Sequence, residues 1–342
     1  MTILGIETSC DETSAAIIEG NEQQVILKAN TVASSLELHA KTGGVIPEIA
    51  ARKQLEYMLP VLYETLEKSF GKMDSLMHGL QKIDVIAVTY GPGLIGSLLV
   101  GVETAKTLAY VSNKPIIPVN HMIGHIYANF IGEQSITFPA IALVVSGGHT
   151  DLLLLKNHGD YELIGGTRDD AAGEAFDKIG RLLGLTYPAG PIIEQIAKQG
   201  EPKRFRFPRP LIGSDDFDFS FSGLKTAVLR EVQSLKNIDS KTTADLARAT
   251  QDAIIDVLIK KTLKAAKKYD AKSILLSGGV AANQTLKEQF VLNTKSQLPT
   301  TKLFAPVKSL CTDNAAMIAT AAYFNYHPMD WHDLTANPEL YF

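Results

Sequence analysis

Long hydrophobic runs are missing from this 342-residue chain. Its longest apolar stretches, such as Ile141–Val145 and Leu152–Leu155, fall far short of the ~20 residues that a bilayer-spanning helix needs, so no transmembrane segment is expected. Cysteine is scarce as well. Cys10 and Cys311 are the only two, too few for a disulfide framework, and a reducing cytoplasm is the expected setting. The opening Met-Thr-Ile-Leu-Gly-Ile-Glu-Thr has no basic n-region and reaches an acid at Glu7, so it is not expected to be a signal peptide. Nor is positive charge in excess. The 33 Lys and Arg against 37 Asp and Glu leave a formal net charge of −4. That excludes a generally basic nucleic-acid coat and leaves only local patches to meet a polyanion. What is there is ordinary core: 45% hydrophobic and 20% charged residues mark a globular chain with length for about two domains.

One local patch is Lys203-Arg-Phe-Arg-Phe-Pro-Arg209, with four cations, two aromatics and no acid; its Arg204, Arg206 and Arg209 are candidates to hold phosphates. A second is the lysine set Lys260, Lys261, Lys264, Lys267 and Lys268, opposite an apolar stripe of Ile255, Ile259 and Leu263. That pattern reads first as the solvated face of a helix.

A motif order occurs twice. In the first half a hairpin runs Ile3–Glu7, a turn at Thr8-Ser-Cys-Asp-Glu-Thr13, and Ala15–Ile18; later come the strand Asp84-Val-Ile-Ala-Val, the loop Gly91-Pro-Gly93 and a helix from Leu94 toward Tyr110. In the second half Ala140–Val145, the turn Ser146-Gly-Gly-His-Thr150 and Asp151–Leu155 form another hairpin. Ser273–Leu276, Ser277-Gly-Gly279 and a helix starting near Ala282-Asn283 complete the set. β-Branched runs bounded by Gly, Ser and Thr support these strands. Glycines let backbone approach a phosphate or adenosine closely, and a following helix adds its positive end. The expectation is two α/β lobes with a nucleotide-like ligand between them. The second half is longer, and its excess falls at 167–240.

His121 and His125 stand four apart in Pro-Val-Asn-His-Met-Ile-Gly-His. On a helix that spacing puts both imidazoles on one face, one turn apart. Asp313 in Leu-Cys-Thr-Asp-Asn-Ala-Ala-Met is the best third ligand for one metal ion, although Asp at that place also reads as a helix N-cap. Two histidines and a carboxylate leave coordination positions open to substrate.

Taken together, Ile6-Glu-Thr-Ser-Cys-Asp-Glu-Thr-Ser, Gly91-Pro-Gly-Leu, His121-x-x-x-His125, Val145-Ser-Gly-Gly-His-Thr, Asp170-Ala-Ala-Gly-Glu-Ala-Phe-Asp, Phe219-Ser-Phe-Ser-Gly-Leu-Lys and Cys311-Thr-Asp-Asn resemble the universal tRNA N6-adenosine threonylcarbamoyltransferase family, once called glycoproteases or O-sialoglycoprotein endopeptidases. The match is collinear from residue 3 to about 325 and is of the bacterial, stand-alone kind. The resemblance implies a duplicated two-lobe fold like that of actin, sugar kinases and Hsp70, with a central cleft. It places the lobes at 1–132 and 133–342, an insertion around 167–240, and a last helix near 314–326 free to pack back on the first lobe. It implies transfer of the threonylcarbamoyl group from threonylcarbamoyl-AMP to N6 of adenosine 37 in tRNAs reading codons that begin with A, with release of AMP.

By motif, the resemblance makes His121, His125 and Asp313 the ligands of one divalent ion, Fe2+ first and Zn2+ second. The adenylate would be held by Val144, Val145, Ser146, Gly147, Gly148, Asp177, Gly190, Glu194 and Asn283. Asp11 and Glu12 are the candidates to take the proton from N6, and Arg204, Arg206 and Arg209 to hold tRNA. Expected partners are tRNA, a paralogous companion subunit and a small ATPase, in the cytoplasm and without a membrane. Three positions depart from the usual family pattern: Asn120 and Ile123 in place of a His and a Glu, and Ala189 in place of a Gly.

Rival functions fit less well. A kinase or ATPase of the same class would hold Mg2+ mainly by carboxylates. A metallopeptidase would need Glu directly after the first His, where this chain has Met122. A non-catalytic scaffold would have no use for the metal, adenylate and hairpin-tip motifs together.

Overall fold

The computed structural model describes residues 1–21, 24–132 and 135–342. β1 (Thr2–Glu7) and β2 (Glu12–Gly20) form an antiparallel hairpin with Ile3 opposite Ile18, and β3 (Val25–Ser34) adds to β2. Helices α1 (Leu36–Thr42), α2 (Pro47–Phe70) and α3 (Leu76–Leu80) follow, then β4 (Val85–Gly91), α4 (Ile95–Ser112), β5 (Ile116–Asn120) and α5 (His121–Tyr127). β4 runs parallel to β1, and β5 parallel to β4. The sheet order is β3-β2-β1-β4-β5. β1 and β4 read as unbroken apolar runs because both their faces are covered, with Ile3, Leu4, Ile6, Ile86 and Val88 all fully buried.

The second sheet repeats the first. β6 (Ala140–Val145), β7 (Thr150–Asn157) and β8 (Asp160–Gly166) are an antiparallel meander. Helices α6 (Ala172–Leu182), α7 (Ala189–Ala197), α8 (Ser222–Ser234) and α9 (Ser240–Lys268) lead to β9 (Ser273–Ser277), α10 (Gln284–Gln297) and β10 (Lys302–Phe304). β9 is parallel to β6 and β10 parallel to β9, so the order β8-β7-β6-β9-β10 matches that of the first sheet strand for strand and direction for direction. The duplicated α/β architecture expected from the motif order is present in the hydrogen-bond ladders themselves. The strand boundaries reach further than the apolar runs: β2 starts at Glu12 and runs to Gly20 rather than covering 15–18 alone.

Two compact units result, Met1–Ser135 with Pro306–Phe342, and Ile136–Ala305. The expected boundary at 132/133 falls against Glu133 and Gln134, which lie outside the described residues. Within the first unit the last helix, α11 (Ala315–Phe324), packs on β1, β2 and α5. Small residues make that approach possible. A Cβ on Gly5 would come within 2.3 Å of the Ala315 carbonyl oxygen, and one on Gly124 within 2.7 Å of Ile318 Cδ1. The tail beyond α11 also belongs to this core: Leu334 is buried, and the Asn337 N–H donates to the Tyr90 carbonyl at 2.7 Å.

In the second unit Ile141, Leu143 and Val145 of β6 pack with Phe176, Ile254 and Leu258. The expected insertion contains α6, α7, α8 and an irregular stretch over 198–221. Lys261 pins that stretch. It is 1% exposed and donates to Ser214 Oγ at 2.6 Å, the Asp216 carbonyl at 3.0 Å and Asp216 Oδ1 at 3.1 Å. This corrects the lysine-rich face of the sequence reading: Lys261 points inward as an anchor, while Ile255, Ile259 and Leu263 are buried as expected.

Candidate active site

The centre of the first unit forms where α5 meets the turn before α11. Asn120 caps α5, its Oδ1 accepting from the Met122 N–H at 2.8 Å and the Ile123 N–H at 3.3 Å. The departure at Asn120 therefore serves the start of the helix that carries both histidines. The cap of α11 falls to Asn314, which accepts from the Met317 N–H at 3.1 Å. Asp313 is thus relieved of capping and lies beside the imidazoles, with Oδ1 3.2 Å from His125 Nε2 and 3.6 Å from His121 Nε2. One ligand atom from each of the three lies within 4.8 Å of the others.

These residues fit a metal ion on an observation independent of spacing. Both ring nitrogens of His125 are buried without a hydrogen bond, so its 3.2 Å approach to Asp313 is a meeting of polar atoms lacking hydrogen-bond alignment. Donors held ~2.1 Å from one ion stand about 3.0–3.4 Å apart, close to the 3.2 and 3.6 Å that separate Asp313 from the two imidazoles. The set of two imidazoles and one carboxylate suits a borderline transition metal and leaves positions vacant for substrate.

Glu7 orients one ligand. It is fully buried at the end of β1, with Oε2 3.2 Å from His121 Nδ1; Ser9 Oγ is 3.1 Å from the same nitrogen. The Ser9 N–H donates to Glu7 Oε1 at 2.5 Å, and the Thr89 hydroxyl donates to Oε2. With Nδ1–H given to the carboxylate, His121 Nε2 keeps its lone pair for a cation, the arrangement by which acids fix metal-binding histidines. Burial opposes a charged His121, but Asp313 and then Glu7 outweigh it and push the imidazole up to about 9. The pocket is thus built to favour positive charge.

The turn between β1 and β2 carries Cys10, Asp11 and Glu12 in the same unit. Burial, then the charges of Asp313 and Asp11, hold the Glu12 carboxyl well above the ordinary carboxylate range. Burial and the neighbouring acids also raise the Cys10 thiol, which keeps it protonated and a poor nucleophile.

The second unit gathers the other expected residues. The tip of the β6–β7 hairpin is closed by the Ser146 N–H to the His149 carbonyl at 2.9 Å. Gly147 and Gly148 beyond it are exposed, and a Cβ on either would meet nothing within 4 Å. Val145 lies against Gly278, where a Cβ would come within 2.3 Å of the Val145 carbonyl oxygen and φ is +88°. Gly173 at the start of α6 donates to the Ser146 carbonyl at 3.1 Å. Asp177 Oδ1 accepts from the Ala189 N–H at 2.7 Å, next to Gly190, and burial raises its carboxyl. Glu194 Oε1 accepts from the Gln284 and Thr285 N–H groups at 2.6 and 3.3 Å, and Asn283 Oδ1 from the Leu286 N–H at 2.9 Å. Those contacts occupy the first amides of α10, so the anion-binding helix start expected after Gly278-Gly279 is already satisfied by side chains. The helix itself starts where expected, α10 at Gln284 with Asn283 as its N-cap, after a short 3-10 turn over Gly279–Ala282. Ala189 is accommodated because Gly180 opposite has no side chain: a Cβ on Gly180 would fall 2.1 Å from the Ala189 Cβ.

The Arg/Phe segment is less open than its sequence suggests. Arg204 Nη1 donates to Asp245 at 2.5 Å, and Arg209 Nη2 to Asp256 at 2.8 Å. Phe207 is buried. Among these arginines Arg206 is the exposed one with no acid beside it among the described residues. Sequence reasoning also passed over Glu7, Ser9 and Thr89. Two signals were available: an acid closing the otherwise apolar run Ile3-Leu-Gly-Ile-Glu7, and the place of Glu7 and Ser9 within the motif Ile6-Glu-Thr-Ser.

The family model described as tRNA N6-adenosine threonylcarbamoyltransferase matches residues 26–320. Curated proteins of that name resemble the whole chain. One from Moorella thermoacetica is 47% identical over 343 residues, covering 99% of this chain and 96% of its own length. One from Symbiobacterium thermophilum is 49% identical over 337 residues, covering 98% and 94%. Among solved structures, full-length HypF in its phosphate- and nucleotide-bound form superposes with TM-score 0.61 at 12% identity over 95% of this chain, which spans 46% of HypF. The activator of the 2-hydroxyisocaproyl-CoA dehydratase from Clostridium difficile with bound ADPNP gives 0.51 at 14%, covering 95% of each. Both likenesses bear on fold, and both are to actin-like ATPase-fold proteins. No helix among the described residues is long and apolar enough to cross a membrane. The chain is a transferase and belongs to the tRNA N6-adenosine threonylcarbamoyltransferase family.

Proposed function

We propose that this protein moves the threonylcarbamoyl group of threonylcarbamoyl-AMP to N6 of adenosine 37 in tRNAs reading codons that begin with A, releasing AMP. The observation that carries the reading is the meeting of His121, His125 and Asp313 around a point where His125 has no other polar partner. Full-length similarity to relatives of that name supports the same substrate class.

His121, His125 and Asp313 would hold one divalent ion, Fe2+ first and Zn2+ second. Such an ion supplies Lewis acidity toward the phosphate and carbonyl oxygens of the donor. Glu7 keeps His121 in the tautomer that binds it. In the second unit the exposed amides of Gly147 and Gly148 donate to the adenylate, where the missing side chains let it approach. Asp177, Gly190 and Glu194 shape the remainder of that site, with ribose hydroxyls and base edges as the partners of the two carboxylates, and Asn283, whose amide is held by the Leu286 N–H and by Gln251 Oε1, lines it. The carboxylate oxygens used in capping are Asp177 Oδ1 and Glu194 Oε1. An exocyclic adenine amine is a weak nucleophile, so Glu12, assisted by Asp11, takes its proton as the new bond forms. Arg206 with Lys203 contacts tRNA phosphates, while Arg204 and Arg209 hold the segment in place. A paralogous subunit and a small ATPase are the expected companions, in the cytoplasm.

The test is incubation with threonylcarbamoyl-AMP, unmodified tRNA and those companions, followed by nucleoside mass spectrometry. A threonylcarbamoyl adduct on adenosine is expected from the parent protein and absent from Asp313→Ala. Equal yield from both would refute the metal-centred reading.

A further inference from the structure

Gln54, on α2, is 1% exposed. Its Nε2 lies 3.1 Å from the Thr8 carbonyl oxygen, 3.1 Å from that of Cys10 and 3.0 Å from that of Glu12. Two N–H bonds thus serve three carbonyls spread across the whole β1–β2 turn. At the other end of the amide, Oε1 is buried with no hydrogen bond. A buried glutamine kept for packing would pair both ends, since an unpaired buried acceptor is costly; here the donor end alone is used, and all of it on the turn.

The turn needs such help. Thr8-Ser-Cys-Asp-Glu12 contains neither Gly nor Pro to preset its backbone, and its carbonyls bond outward. That of Ser9 accepts from the Leu94 N–H at 2.8 Å. That of Cys10 also accepts from Ser97 Oγ at 3.0 Å. That of Asp11 accepts from Ser35, from its N–H at 3.2 Å and its Oγ at 3.0 Å. Ser35 is held in turn by His39. His39 Nδ1 accepts from the Ile46 N–H at 3.2 Å, so Nε2 carries the proton toward Ser35 Oγ at 3.1 Å and leaves the hydroxyl hydrogen for Asp11. Of the groups that grip the turn, Gln54 touches three of its five carbonyls, on both sides of Asp11.

We infer that Gln54 is a positioning residue for the transfer reaction: its three-carbonyl clasp fixes the Thr8–Glu12 turn and so the placement of Asp11 and Glu12. The inference rests on the proposed proton-accepting role of those acids. It does not rest on the metal centre.

Gln54→Leu keeps the volume and removes the donor; Gln54→Asn keeps an amide one methylene short and serves if the leucine variant does not fold. Each full-length variant is assayed with companions, tRNA and threonylcarbamoyl-AMP, and three further readouts are taken: metal content, thermal unfolding, and the iodoacetamide labelling rate of Cys10 from the mass of its peptide. Opening of the turn is expected to raise Cys10 labelling about tenfold. Misplacing the acids is expected to lower kcat about a hundredfold, with KM for the adenylate within about twofold and metal content unchanged. Gln54→Asn should fall between. Labelling and kcat both within about twofold of the parent would overturn the inference, as would metal and thermal stability lost in step with kcat, the mark of a residue that only fills the core. If Asp11→Ala and Glu12→Ala leave transfer intact while Gln54→Leu still exposes Cys10, the role of the acids fails and the clasp on the turn stands.

Discussion

His125 sits where an imidazole has one use. It is 1% exposed, and both its nitrogens lack hydrogen bonds, a costly state unless a ligand completes it. His125→Ala should therefore abolish stoichiometric metal uptake while altering the fold little, read by metal analysis and circular dichroism; full uptake by this variant would remove His125 from the centre. Glu7→Gln tests the layer behind. The isostere can still accept from Ser9 and Thr89 but no longer presents an anion to His121 Nδ1, and metal affinity should fall about 10–100-fold in competition against a chelator. An affinity unchanged by Glu7→Gln would mean that Glu7 merely fills the sheet end. The histidine pair was legible in the sequence because helical periodicity converts spacing into direction. Glu7 was not, since its partner His121 is 114 residues away and no local pattern marks an acid at a strand end as an orienting group.

Elements fix which charged groups remain available. The irregular stretch over 198–221 is tied to α9 by Asp216 and Lys261, and the Asp216 carboxyl is lowered from 3.8 to about 2, first by the Ser214 hydroxyl and then by Lys261. A folded-state value below the unfolded one gives stability that is complete above the unfolded value and is lost as pH falls through the folded one. The melting temperature should accordingly drop between pH 4 and 2 more steeply in the parent than in Asp216→Asn; parallel curves would show that the tie is not energetically used. The same reasoning sorts the arginines. Arg204→Ala leaves the fully buried Asp245 without its cation and should cost about 1–3 kcal/mol of stability. Arg206→Ala should leave the melting temperature alone and reduce the salt slope of tRNA binding by about 1. A basic run was plain from composition. Which of its cations were already committed was not, because Asp245 and Asp256 come from a helix more than 40 residues on, and pairing across that distance is decided by packing.

At the scale of the molecule the two sheets share one order, yet their cores are assembled differently. Every buried residue that packs with Ile141 and Phe176 comes from within 136–305. The core around Leu4 and Val88, by contrast, takes in Leu334 and packs against Trp331 and Ala336 from the chain's end, and α11 covers Gly5 and Gly124. The repeat was readable beforehand because each hairpin tip and each strand–glycine–helix unit carries its own local signals. The asymmetry of assembly was not, since it depends on which distant helix covers which face. A contiguous core of that size is able to fold on its own. Residues 136–305 expressed alone should therefore melt cooperatively and retain affinity for adenosine nucleotides by calorimetry, without taking up metal. Residues 1–135 alone lack Asp313 and leave the surfaces under α11 bare, so they should neither fold cooperatively nor bind metal until 306–342 is supplied. A fragment 136–305 without a cooperative transition, or a fragment 1–135 that binds metal stoichiometrically, would show that the cores are not divided in this way.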